Sequence, residues 1–186
     1  MANKVVFGVS QLHFGEYNVA TDGTVTLGTP YALPGTVNIS IEPNDSEENK
    51  FYADNIVYWS KYSDNGLTGE IENAFFPDDF KTRFMNYVSL SNGGIAQIKG
   101  QPNKTVYFMF QSEGDAEARR GIFYNVSLGQ LTREYATVED SVEPGTATLP
   151  FTVNGDNKTG VTRAAFTEGA SAYSTMFTTP PVPTTT

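Results

Sequence analysis

The chain has 186 residues, no cysteine, a single histidine and a formal net charge of −9. Without thiols there is no disulfide, thiolate nucleophile or Cys-based zinc site, and one histidine cannot build a His-rich metal centre. A composition that is 39% hydrophobic and 13% aromatic is that of a folded chain, and an excess of carboxylates repels phosphate, which disfavours sequence-specific nucleic-acid binding.

The N-terminal stretch MANKVVFGVSQLHFG lacks the apolar run and small-residue cleavage site of a signal peptide, so synthesis in a cytosol is expected. No segment approaches the roughly 20 apolar residues of a membrane helix. Asp22-Gly23 predicts a hairpin joining YNVA to TVTL. In TVNISIE, Val37, Ile39 and Ile41 alternate with Thr36, Asn38 and Ser40, the pattern of a half-buried strand. PNDSEENK (43–50) is polar, acidic and turn-rich and predicts an exposed loop. FYADNIVYWS (51–60) reads as one strand with no polar face, and it leaves the carboxylate of Asp54 without an obvious partner. Asn65-Gly66 predicts a hairpin returning the chain into TGEIENAFF.

One helix is expected, in PDDFKTRFMNYV within 77–90. Pro77 suits its first position, Asp78 and Asp79 the positive end of its dipole, and Phe80, Phe84, Tyr87 and Val88 form one apolar stripe. Asn92-Gly93-Gly94 is expected to stop it. Strands follow at IAQIKG, at VYFMF (106–110), whose unbroken apolar run predicts cover on both faces, and at GIFYNVSLGQL (121–131). TATLPFTV places Ala147, Leu149, Phe151 and Val153 on one side, and VTRAAFTE closes the domain. The Thr/Pro-rich end, FTTPPVPTTT, favours extended backbone and is expected to build no core. The expectation is therefore a mainly β chain: two antiparallel sheets packed as a sandwich or barrel with one flanking helix. A single domain spans 1–175, and 176–186 form a C-terminal arm.

Catalytic constellations are weak. Glu70 and Glu72 alternate onto one strand face as a carboxylate pair might, but like charges two apart are ordinary on a wet face. His13 is the only base for a nucleophilic triad and reads as a packing or surface residue. The strings DNKTG at 156 and DNG at 64 fall short of a calcium loop. No cofactor or metal is implied. One sheet pair and one helix cannot cover strands that are apolar on both sides, so contact with another subunit is expected to cover the remainder.

The ordered set TVNISIEPN, FYADNIVYWS, GLTGEIENAFFPDDFKTRFM, TVYFMFQSEG and GIFYNVSLGQL resembles the major tail proteins (tail-tube proteins) of long non-contractile-tailed bacteriophages, the siphophages, notably those of Gram-positive hosts. The resemblance covers most of residues 1–170. It implies a structural virion subunit and no enzyme: hexameric rings, assembled in the host cytoplasm, stack into a tail tube. The implied partners are further copies of the chain, a tape-measure protein, a tail terminator and distal tail or baseplate proteins, with double-stranded DNA passing through the lumen unbound. It points to Asn44, Asp45, Ser46, Glu47, Glu48, Asn49, Lys50, Tyr52, Tyr58, Pro180 and Pro181 as subunit or ring contacts, and to Thr68, Glu70 and Glu72 as lumen-facing. The competing reading is a carbohydrate- or receptor-binding sandwich of a virion, in which Trp59 and the tyrosines would stack on sugars.

Overall fold

The computed structural model describes residues 8–45, 49–53, 56–61, 64–114, 117–133 and 145–184, with the backbone alone over the strands between 45 and 64. The strands, in chain order, are β1 (Val9–Val19), β2 (Val25–Leu27), β3 (Tyr31–Ala32), β4 (Thr36–Asp45), β5 (Asn49–Ala53), β6 (Ile56–Lys61) and β7 (Asp64–Asn73). The helix α1 (Asp78–Phe84) follows. Then come β8 (Val88–Ser89), β9 (Ile95–Ala96), β10 (Thr105–Ser112), β11 (Arg120–Leu128), β12 (Thr132–Arg133), β13 (Ala147–Val153) and β14 (Arg163–Phe166).

Ten strands form one antiparallel sheet in the order β2-β1-β10-β11-β13-β7-β4, with β3 on β1, β12 on β13 and β14 on β11. Leu12 and Phe14 of β1 share a core with Ile39 and Ile41 of β4, although these strands stand near opposite ends of that order. The sheet therefore curls so that its inner faces meet, as in the expected sandwich. Alternation supplies that core. Ala147, Leu149, Phe151 and Val153 are all buried, as expected, while the residues between them are half-exposed. Pro150 causes no loss in the middle of β13, because its neighbour on that side changes there from β11 to β12.

The helix is shorter than the stripe predicted. It ends at Phe84 with Met85 as its cap, and Asn86 takes a positive φ of 51°, which no helix continues through. Phe80 and Phe84 are fully buried against Phe14 and Tyr31. Val88 has left the helix for the β8–β9 hairpin, where Asn92-Gly93-Gly94 makes the turn instead of ending a helix: the Gly93 N–H donates to Leu90 O at 3.1 Å. The Asp22-Gly23 turn is as expected, pairing Val19 with Val25, and Asp22 Oδ1 accepts from the Thr24 N–H at 2.9 Å.

Two other expectations are corrected. FYADNIVYWS is not one strand: Phe51 pairs with Trp59 and Ala53 with Ile56, so the chain reverses between Ala53 and Ile56, and Asp54 lies outside the described residues. Asn65-Gly66 correspondingly makes no hairpin turn. It sits within β7 at a register shift against β4, with Gly66 at φ 83°, so its positive φ serves a bulge. β4 and β7 pair from Thr36–Asn73 to Asp45–Asp64, and between them in the chain β5 and β6 form a two-stranded sheet of their own.

Tyr107 and Met109 are as deeply buried as Val106 and Phe108, so β10 is covered on both faces, as its sequence predicts. The cover on the second face is the chain's own C-terminal segment. Met176 is fully buried among Tyr17, Tyr107, Met109, Ile122 and Tyr124. The Thr/Pro-rich end does contribute to a core, and the partner subunit expected to cover this strand is not needed there. Apolar anchors within the segment, Tyr173, Met176 and Phe177, outweigh its turn-rich composition.

Candidate functional site

The outer face of the sheet divides in two. Over β1, β10, β11 and β14 it is apolar and covered by residues 173–183; over β13, β7 and β4 it is polar. Inner-facing Ile71 and half-buried Leu67 bind β7 to the core, so the residues that alternate with them face outward: Thr68 half-buried, Glu70 exposed, Glu72 half-buried. Cross-strand pairing extends this row on both sides. Asn38, Glu72, Thr148 and Thr132 lie abreast; so do Ser40, Glu70 and Pro150; so do Glu42, Thr68, Thr152 and Ser127. Hydroxyls, amides and carboxylates make up this surface, and no Lys or Arg is in these rows.

Two contacts stiffen it. The Thr146 hydroxyl donates to Glu72 Oε1 at 2.5 Å, and the Thr68 hydroxyl donates to Phe151 O at 3.2 Å. Gly69 lets the strands close up, since a Cβ there would meet Ser40 O at 2.1 Å and the Phe151 ring at 2.7 Å. The three residues predicted to share a face, Thr68, Glu70 and Glu72, do share one. Their flanking partners Asn38, Ser40, Glu42, Thr148 and Thr152 were not singled out. Alternation marked their strands, but pairing between strands far apart in sequence is not legible from either strand alone. Val37, assigned to the apolar face of its strand, is instead 54% exposed, because β4 carries one extra residue between the pairs Thr36–Asn73 and Asn38–Glu72.

The residues named as contacts are scattered. Asn44 and Asp45 end β4, and the Asn44 amide donates to Asn65 O at 3.3 Å. Asn49, Lys50 and Tyr52 lie on β5 and Tyr58 on β6. Ser46, Glu47 and Glu48 lie outside the described residues. Pro180 and Pro181 are half-buried on the subunit's own sheet, where the Tyr124 hydroxyl donates to Pro181 O at 2.8 Å.

The DNKTG string has a local structural use. Asp156 is 3% exposed, and its carboxylate accepts from the Tyr17 hydroxyl at 2.6 Å, the Thr159 N–H at 2.7 Å, the Thr159 hydroxyl at 2.7 Å and the Lys158 N–H at 3.2 Å. Its lone pairs are spent on these donors. Burial pushes the carboxyl up, but these hydrogen bonds outweigh it and hold Asp156 below the usual carboxylate range. Burial and the Asp156 hydrogen bond push Tyr17 up to about 12. The pair's contribution to stability is therefore present above about pH 4 and lost as pH falls through the depressed Asp156 value. At the other end it is complete below about pH 10 and lost as pH rises through the Tyr17 value. Asp156→Ala, which strands the Tyr17 hydroxyl and the Thr159 N–H, is expected to cost about 2–4 kcal/mol in urea unfolding. A loss below ~1 kcal/mol would show that the loop contributes little.

His13 packs against the C-terminal segment. Its ring stacks on Phe177 with centroids 4.6 Å apart, and Nδ1–H donates to Gln11 O at 2.7 Å. Among the described residues no group of three or more His, Cys, Asp or Glu could hold a metal ion, and no helix is long and apolar enough to cross a membrane. What remains is a curled sheet with one acidic, hydroxyl-rich outer face, and a separate two-stranded sheet of β5 and β6. No curated protein matches the chain. A family model described as phage tail tube protein matches residues 1–174, and the chain belongs to that family, whose members are structural subunits of the virion tail.

Proposed function

We propose that the subunit forms hexameric rings that stack into the tube, with the β13-β7-β4 outer face lining the channel through which double-stranded DNA passes to the host. The observation that carries this reading is the composition of that face. Binding to a polyanion is driven by cations that displace its counterions, and a wall of carboxylates and hydroxyls offers none, so DNA slides past it. Among the described residues strand β4 pairs in the main sheet with β7 alone, and its other edge is the one we assign to the next subunit. An open edge invites strand pairing, and a ring closes it on itself. The subunit is structural and not an enzyme. It assembles in the host cytoplasm around a tape-measure protein, between a tail terminator and the distal tail proteins.

The hairpin carrying residues 43–50, Tyr52 and Tyr58 is the proposed ring-to-ring contact. Because Asp45 and Asp64 already pair, replacing residues 46–63 by a two-residue turn should leave the main sheet folded. The shortened protein is expected to give the far-ultraviolet spectrum of a β protein but no tubes by negative-stain electron microscopy. Tubes of normal length and spacing from it would refute the assignment.

A further inference from the structure

The C-terminal segment is the feature of this fold that the tube reading does not use. Outside its core the sheet presents one further apolar face, built by Tyr17, Tyr107, Met109, Ile122 and Tyr124. Tyr173 and Met176 close over it, 8% and 0% exposed, and Pro183 is buried beyond them. The segment is held chiefly by side chains. Arg120 is the hub: its guanidinium lies 4.0 Å from the Tyr173 ring centroid and 4.7 Å from that of Phe177, and it donates to Tyr173 O at 2.5 Å and to Gln111 Oε1 at 3.0 Å. The Tyr173 hydroxyl donates to Ala118 O at 2.7 Å, Tyr124 holds Pro181 O, and His13 stacks on Phe177. The family match ends at residue 174, so Met176, Phe177, Pro181 and Pro183 lie past it.

We infer that residues 173–183 are a seal docked in cis: each subunit covers its own second apolar face and keeps that cover when copies associate. Uncovered, the face would be a sticky patch of aromatic and thioether side chains competing with the ordered contacts of assembly. A terminal segment fits this task because its apolar anchors and Pro183 occupy the patch while Thr178 and Thr179 stay exposed. The ring contacts then fall to other parts of the subunit, and Pro180 and Pro181 serve the seal. The inference concerns the single subunit and stands whether or not the rings are hexameric.

The chain has no cysteine, so the double variant H13C/F177C reports on the seal without background thiols. After mild oxidation, both free subunit and assembled tubes are expected to run at single-subunit mass on a non-reducing denaturing gel. A ladder of linked subunits from tubes would show that the segment crosses to a neighbour and would overturn the proposal. Failure of the pair to link in the free subunit even through a short bifunctional thiol reagent, which tolerates wider spacing than a disulfide, would remove the contact on which it rests. Independently, Met176→Asp with Phe177→Asp is expected to leave the β spectrum intact, raise the fluorescence of a hydrophobic dye several-fold and produce irregular association in light scattering. A folded, monodisperse variant with unchanged dye binding would equally overturn it.

Discussion

Phe108→Ala is expected to lower the stability of the unassembled subunit by about 3–5 kcal/mol. Phe108 is completely buried at the centre of β10. Its ring stacks on Phe123 at 4.8 Å and meets Phe151 edge-on at 5.0 Å and Phe14 at 5.8 Å, so one side chain joins strands β1, β10, β11 and β13. Truncation leaves a cavity walled by rings that cannot collapse without moving strands. Against a total of about 5–15 kcal/mol for a domain of this kind, the change takes up much of the margin. Urea unfolding of wild type and variant, compared at equal slope, measures it. A cost under ~1.5 kcal/mol would mean that the core repacks around the gap and that this ring is not its keystone.

The second large effect concerns the acidic face. Charge reversal at its two exposed carboxylates, Glu42→Lys with Glu70→Lys, is expected to leave subunit stability within about 0.5 kcal/mol, as surface changes usually do. Tubes should form, because neither side chain is packed in the core. If the face lines the channel, every subunit then presents two ammonium groups to the passing polyanion, and each phosphate contact adds about one unit to the salt dependence of attraction. DNA release from receptor-triggered virions, followed with an intercalating dye, is expected to slow on the order of tenfold or more at low salt and to recover as salt is raised. Release at the wild-type rate at all salt concentrations would place these carboxylates away from the DNA path. Glu72 is the poorer probe, since its bond from Thr146 ties charge and local structure together.

Legibility differed from element to element, for physical reasons. TATLPFTV and VYFMF were read correctly because burial of alternate or of all side chains is written directly in a strand's own residues. The buried Phe80 and Phe84 of α1 were equally local, but Pro77, expected as the first helical residue, is its cap, and Tyr87 and Val88 of the expected stripe lie past its end. Asn86 leaves the helix early in the company of long-range bonds, such as that from the Lys104 N–H to Phe84 O at 2.9 Å. FYADNIVYWS and Asn65-Gly66 were misread together. That β5 and β6 pair with each other within the first, and that Gly66 serves a bulge within the second, depend on cross-strand register. The face holding Thr68, Glu70 and Glu72 was half-legible: its central strand could be read, its neighbours could not.

By itself, the sequence determined the mainly β class, the one helix found among the described residues, the two-sided cover of β10 and, through an ordered set of motifs, the tail tube family that the match over residues 1–174 shows. These follow from side-chain chemistry and from periodicities of two and of 3.6 residues, which are local. The tertiary structure alone decided what covers the second face of β10, that Asp156 caps its own loop, and that carboxylates and hydroxyls from β4, β7 and β13 form one surface without cations. Each of these depends on contacts between residues far apart in the chain, such as Tyr17 with Asp156 and Tyr124 with Pro181. Composition carries no record of such contacts, because the entropy of closing those long loops is offset only when the whole core forms.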